Sequence, residues 1–179
     1  MMTTRILILL NLIIPLSPSM RYNYRMGKIR KACKKDASRI AEILVFSKRK
    51  NYRKIFNNDI GSFVELQVYP IAKEYIEKPE LFYNTYVYED TFVKGIMRIN
   101  NSEITDLFVD PFFEGNGIGG ELIEFAISKN SHLELWVLDK NKRAKNFYKK
   151  HGFCETGETR IVPEAPDSKV LERKMVRNK

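Results

Sequence analysis

Cysteine and histidine are nearly absent from this chain of 179 residues, which carries only Cys33, Cys154, His132 and His151. The cysteines are far apart and form no C-x-x-C pair, so neither a disulfide framework nor a thiolate zinc site is indicated. That usage fits a reduced, intracellular protein. The histidines stand at neither metal-ligand nor triad spacing and are assigned no chemistry. Internal repeats, linkers and low-complexity segments are missing, as is any RNP or zinc-finger signature of nucleic-acid binding. The longest apolar run, Ile6 to Leu16, falls well short of the ~20 residues a membrane-spanning helix needs.

That run, preceded by Arg5 and followed by Ser17-Pro18-Ser19, has the outline of a signal-peptide core. Its leading region holds one charge where such signals usually hold more. Met20 and Met26 both precede polar, basic sequence that leads into an ordinary domain. Residues 1–25 are therefore expected to be an extension from an upstream start, with the domain over residues 26–179 and secretion as the alternative. Without residues 1–25 the net charge falls from +9 to +6, through loss of three arginines.

What is present suffices for one compact domain: 44% apolar residues, including 12% aromatics. The basic residues concentrate at Arg21 to Lys35, Lys48 to Lys54 and Lys140 to Lys150, mixed with acids. A solvated basic surface is preferred to a nucleic-acid surface, and an anionic cofactor site is a third reading.

The apolar period divides the chain. Asp36 is placed to cap a helix carrying Ile40, Ile43 and Leu44 that ends near Lys50. A second helix runs from about Ser62 to Ile76, kinked or divided by Pro70. From Tyr83 the period becomes two, with turns at Glu89-Asp90 and Asn100-Asn101, giving strands to Ile99 and over Glu103 to Val109. A helix from Ile118 to about Asn130, a strand over Leu133 to Val137, and a helix from Asn141 to Lys150 capped by Gly152 follow. Strands over Phe153 to Val162 and Val170 to Val176, separated by the turn Pro163 to Pro166, complete the order. The expected fold is a mixed α/β single domain, a mostly antiparallel sheet with one βαβ unit and about four helices.

Between strand and helix of that βαβ unit lies Glu114-Gly115-Asn116-Gly117-Ile118-Gly119-Gly120. Glycines at such a junction let the backbone approach a ligand and turn its N–H groups outward, and the helix start adds partial positive charge. This suits a pyrophosphate. A P-loop would need Lys and Ser/Thr after the last glycine, but Glu121 and Leu122 stand there. The dinucleotide fingerprint G-x-G-x-x-G is met by Gly115, Gly117 and Gly120, with Asp139 at a strand end 19 residues on. Its setting is wrong, because a hairpin meander precedes it and only 40 residues follow Asp139.

The third pattern is Q/R-x-x-G-x-G/A. With Leu107-Phe108-Val109-Asp110-Pro111 before it, and Asn141, Ala144, Phe147, Tyr148, Gly152 and Phe153 after it, the chain resembles the GNAT superfamily of N-acetyltransferases over roughly residues 28 to 177. Glu114 departs from the pattern, standing where Gln or Arg is usual and setting an acid beside a pyrophosphate.

The resemblance implies splayed central strands that hold the pantetheine arm of acetyl-CoA through backbone groups of the Leu107-Phe108-Val109 segment. The loop from Glu114 to Gly120 would take the pyrophosphate, and Asn141 the pantetheine. Val109 N–H would face the thioester oxygen. Tyr148 would be the acid for the departing thiolate, and Glu103 the base for the amine, directly or through a water. Asp106 is the fallback base, on the opposite face from Glu103 by strand alternation. The Lys140 to Lys150 helix is read as a solvated face or as a neighbour of the nucleotide end. Tyr52, Tyr69, Tyr75, Tyr83 and Tyr86 are read as core or as an aromatic amine pocket.

The implied activity is transfer of an acetyl group to a primary amine of a small molecule or peptide. No metal, nucleic-acid or membrane partner is expected, the location is cytoplasmic, and a homodimer stays open. The rival is a non-catalytic acyl-CoA-binding regulatory module, against which Tyr148 argues.

Overall fold

The computed structural model describes residues 27–163 and 169–179. The apolar extension over residues 1–25 and most of the turn after Pro163 lie outside the described residues. Seven strands form one sheet: β1 (Lys28–Lys31), β2 (Thr85–Glu89), β3 (Val93–Asn100), β4 (Glu103–Val109), β5 (His132–Leu138), β6 (Cys154–Ile161) and β7 (Leu171–Asn178). Their order across the sheet is β1-β2-β3-β4-β5-β7-β6. Among the described residues only β4 and β5 run parallel, and every other neighbouring pair is antiparallel.

Among the described residues four α-helices flank the sheet: α1 (Ala37–Phe56), α2 (Val68–Glu77), α3 (Ile118–Lys129) and α4 (Lys142–Lys150). On one face α1 and α2 bury Ile40, Ile43, Leu44 and Tyr75 against Val87, Val93 and Ile96. On the other, Ile118, Leu122 and Ile123 of α3 pack with Met97, Leu133, Leu135 and Met175, and Phe147 of α4 leans on this core. Among the described residues no helix is long and apolar enough to cross a membrane.

The structure corrects or sharpens the sequence reading in several places. The first is β1, whose Lys-Ile-Arg-Lys sequence offers a single apolar residue; it is held by pairing with β2 and by an Arg30–Glu89 ion pair of 2.7 Å. Next, α1 continues past Lys50 because Tyr52, Ile55 and Phe56 extend its apolar face onto Leu138, until Asn57 turns left-handed. The stretch from Ser62 to Ile76 is divided as expected, into a short helical segment Gly61–Glu65 and α2, but the break falls at the extended Leu66 and Gln67; Pro70 itself lies in the first turn of α2, where an N–H has no intrahelical partner to lose. Finally, Asp36 precedes α1 but its side chain makes no cap bond to it; the carboxylate accepts from Arg30 and from the Cys33 N–H instead.

A bulge interrupts β4. Ile99 faces Ile104 and Arg98 faces Asp106, which leaves Thr105 without a partner on β3. An extra residue shifts the alternation of side chains by one. Ile104, Leu107 and Val109 therefore pack on the α3 side, while Phe108 packs on the α1 side. Asp106 and Glu103 share that second face, contrary to uninterrupted alternation.

Candidate active site

β4 and β5 pair at one position, Glu103 with Glu134, where the Glu134 N–H donates to Ser102 O at 2.9 Å. Beyond it the strands diverge. A cleft of about 380 Å³ occupies the gap, bounded by Ile104 to Val109 of β4 and Trp136 to Leu138 of β5. The glycine loop, Asn141 and Tyr148 close one side, and Ser47, Asn51 and Tyr52 of α1 the other.

The divergence leaves backbone groups facing the cleft. Asp110 N–H donates to Lys94 O at 2.8 Å, and bonding alternates along an antiparallel pair. In this register the N–H groups of Val109 and Leu107 point away from β3, toward the gap. Ser47, nearly fully buried, occupies the Val109 carbonyl through its hydroxyl at 3.1 Å.

At the end of β4 the chain enters the loop. Gly115 and Gly117 have φ of +85° and +82°, a region that costs a residue with a Cβ about 1–2 kcal/mol. No atom lies within 4 Å of where their Cβ atoms would be. Gly117 leads directly into α3, so the helix start faces the cleft. Asn116 lies outside the cleft lining and donates to Phe113 O at 3.3 Å.

Glu114 does not stand alone. Its Oε2 accepts from Lys50 Nζ at 2.8 Å and from Arg143 Nη1 at 2.6 Å. Burial pushes its carboxyl pKa up, but the bonds to Lys50 and Arg143 outweigh it and hold the group below the usual range. Two basic groups separate in sequence, Lys48 to Lys54 and Lys140 to Lys150, thus meet at the one acid of the loop.

Tyr148 projects from α4 into the cleft beside Phe147 and Phe153. Its hydroxyl bonds to no described residue. Burial pushes the phenol pKa far above its ordinary value, and the Asp106 charge adds to the rise.

Two further carboxylates line the cleft. Asp106 sits 3.4 Å from Arg98, which also bonds the buried Tyr75 hydroxyl. Glu172 of β7 is held by Arg160 at 2.9 Å, and Arg160 stacks 4.2 Å from the Trp136 ring. Glu103, at the paired end of β4, is not part of the lining. Neither Glu172 nor Trp136 had a sequence signal, because strand register alone brings them to the gap.

The other candidates separate cleanly. Leu107, Phe108, Val109, Ile118, Gly119, Gly120 and Asn141 all line the cleft. Asn141 caps α4 by accepting from Ala144 N–H at 3.1 Å, which leaves its amide N–H₂ for a ligand. Asp139 pairs with Lys145 at 3.1 Å and with Arg173, so it is not a free ribose acceptor. Of the five tyrosines read as an amine pocket only Tyr52 lines the cleft; Tyr75 is core, and Tyr69 and Tyr83 are exposed. Among the described residues no group of His, Cys, Asp and Glu could hold a metal ion.

The family described as acetyltransferase (GNAT) domain matches residues 82–155. The peptidyl-lysine N-acetyltransferase YjaB of Escherichia coli is 37% identical over 67 residues, 37% of this chain and 46% of that protein. The thialysine N-epsilon-acetyltransferase of Bos taurus is 39% identical over 75 residues, 39% of this chain and 42% of that one. The matched segment thus spans less than half the length of either relative. Similarity of fold extends further. The solution structure of apo YjaB superposes with a TM-score of 0.65 at 23% identity, covering 84% of this chain and 96% of that one. The PaiA N-acetyltransferase of Thermoplasma acidophilum, solved in complex with coenzyme A, gives 0.60 at 16% identity, covering 86% and 99%. Residues 82–155, which hold the splayed parallel pair, the glycine loop and Tyr148, are thus similar to the acetyltransferase (GNAT) domain, and the chain shares the fold of these two solved structures.

Proposed function

We propose that this protein binds acetyl-CoA in the gap between β4 and β5 and transfers its acetyl group to a primary amine by direct attack in a ternary complex. The observation that carries the reading is the parting of these strands beyond Glu103 and Glu134. It leaves Leu107 and Val109 backbone groups facing a cleft with a phosphate-suited loop at one end and an unpartnered phenol inside. The fit is supported by the cleft volume of about 380 Å³, within the range of small-molecule sites.

Acetyl-CoA supplies an acyl group activated as a thioester. The loop N–H groups from Gly115 to Gly120 and the start of α3 receive the diphosphate. Val109 N–H donates to the thioester oxygen and strengthens that bond as negative charge develops there. An amine is protonated at neutral pH and must lose a proton before its nitrogen can attack. Asp106, in the cleft lining, takes it; Glu103, on the same face, is reached through water. As the new C–N bond forms and the C–S bond breaks, Tyr148 donates to the departing sulfur.

The acceptor class draws support from the two relatives named for lysine-type ε-amines. Transfer of this kind belongs in the cytoplasm, where acetyl-CoA is available. The test is thiol release from acetyl-CoA against lysine peptides, peptide N-termini, polyamines, aminoglycosides and amino acids, with calorimetric CoA binding alongside. Release with a lysine-type amine is expected. Binding of CoA with no release for any amine would leave a non-catalytic acyl-CoA module.

A further inference from the structure

Glu114 is the residue at which this loop departs from its family pattern, and the structure gives it an arrangement that the departure alone does not suggest. One oxygen, Oε2, accepts from both Lys50 and Arg143. Lys50 belongs to α1 and Arg143 to α4. These helices pack on opposite faces of the sheet. The ion trio therefore spans the mouth of the cleft.

Exposure within the trio is uneven. The Glu114 side chain is 16% exposed, whereas Lys50 is 45% and Arg143 67% exposed. Each cation has one bond, to this carboxylate, and keeps further N–H groups unused among the described residues. The next residue, Gly115, begins the left-handed turn whose surroundings are open to a ligand.

A diphosphate seated on that loop would bring two negative charges beside the carboxylate. Like charges at such separation repel, and the repulsion is weakly screened in a partly enclosed cleft. Phosphate oxygens are better matched than a single carboxylate oxygen to the fork of a guanidinium. We propose that Lys50 and Arg143 are ligands of the cofactor's diphosphate, and that Glu114 is an internal anion that holds them in place until the diphosphate takes them over. The inference rests on the acyl-CoA reading of the cleft.

In the free protein the carboxylate keeps two mobile side chains at the mouth and links the two faces of the sheet there. On binding, the cations exchange one anion for another, and Glu114 turns toward water. The exchange sets affinity: the carboxylate competes with the cofactor, and the cations hold it.

The experiment is calorimetric titration of the full chain with CoA and with 3′-dephospho-CoA, at low and high salt, for the parent and the K50Q, R143Q and E114Q variants. K50Q and R143Q are expected to weaken both ligands by about tenfold, the loss of one charge-assisted contact, with a shallower dependence on salt. E114Q, of the same shape, is expected to tighten both severalfold. Thermal unfolding of each variant shows that the fold is retained. Unchanged affinity in K50Q and R143Q would overturn the assignment, as would weaker binding in E114Q or an effect seen with CoA and lost with dephospho-CoA. Failure of the parent chain to bind either ligand would instead remove the acyl-CoA reading itself.

Discussion

Ile104 and Asp106 lie two residues apart on β4 and face opposite sides of the sheet, because Thr105 between them is an unpaired bulge residue. Ile104 enters the core with α3, and Asp106 reaches the cleft on the face shared with Glu103. Geometry thus favours Asp106 as the proton acceptor. D106N is expected to lower turnover about 100-fold, within the range for loss of a general base, with CoA affinity retained. E103Q is expected to lower it by less than about threefold, since any role there passes through water. Steady-state kinetics with a lysine peptide decides, and a larger loss in E103Q would move the base to Glu103.

Tyr148 offers a donor that keeps its proton. Burial, followed by the Asp106 charge, raises its pKa far above the ordinary tyrosine value, about 10. The neutral phenol is the state present below the raised pKa, so the donor persists through the whole neutral and moderately alkaline range. Y148F is expected to lower turnover at least about tenfold with CoA affinity little changed. The pH profile of acetyl transfer by the parent chain should show no alkaline decline from this group below about pH 10. A decline near pH 8 that Y148F abolishes would contradict the assignment.

These two residues also show where the sequence was legible. Tyr148 could be found because Asn141, Ala144, Phe147, Tyr148, Gly152 and Phe153 together resemble a GNAT motif, and the loop could be found because Gly115 and Gly117 meet a backbone requirement. The hairpins, the βαβ unit and the helix faces followed from periods of two and 3.6. The bulge at Thr105 had no such signature: Ile104-Thr105-Asp106 contains no glycine, and the extra residue exists only relative to β3. Likewise β1 has one apolar residue, so pairing and the Arg30 contacts define it. Glu172 and Trp136 come to the cleft through the β5–β7 register, in which Leu138 faces Glu172 and Trp136 faces Lys174. Lys50 and Arg143 were visible as parts of two basic groups, but their convergence on Glu114 is a tertiary fact.

The loop glycines make distinct predictions. At Gly117 a Cβ would meet nothing within 4 Å, so G117A costs only the left-handed conformation at φ +82°. A loss of about 1–2 kcal/mol is expected, with weaker CoA binding as the N–H groups reorient. Gly119 lies in the first turn of α3 and has ordinary contacts of 3.6 Å to Phe147 and 3.7 Å to Val109 for an added Cβ. G119A should leave stability unchanged or raise it by up to about 1 kcal/mol, the helical preference for Ala over Gly. Denaturant unfolding of the pair checks the contrast; equal losses in both would show that space, not backbone conformation, governs the loop.

Away from the cleft, Asp36 ties β1 to the start of α1. Its carboxylate, 4% exposed, accepts from Arg30 at 2.7 and 2.9 Å and from the Cys33 N–H at 2.9 Å. Burial pushes its pKa up, but the Arg30 and Cys33 bonds outweigh it and leave the carboxyl below its ordinary value. A depressed pKa in the folded state means that the stabilisation is present in full above the unfolded value of about 4 and is lost as pH falls through the folded value. D36N is expected to cost about 2–3 kcal/mol at pH 7, the scale of hydrogen bonds to a charged group. Arg30 keeps its bond of 2.7 Å to Glu89, which limits the loss. The gap between parent and D36N should narrow progressively below about pH 4, as the parent's own carboxylate becomes protonated. Denaturant unfolding at pH 7 and at successively lower pH measures it, and a gap independent of pH would show that the ion pair is not its source.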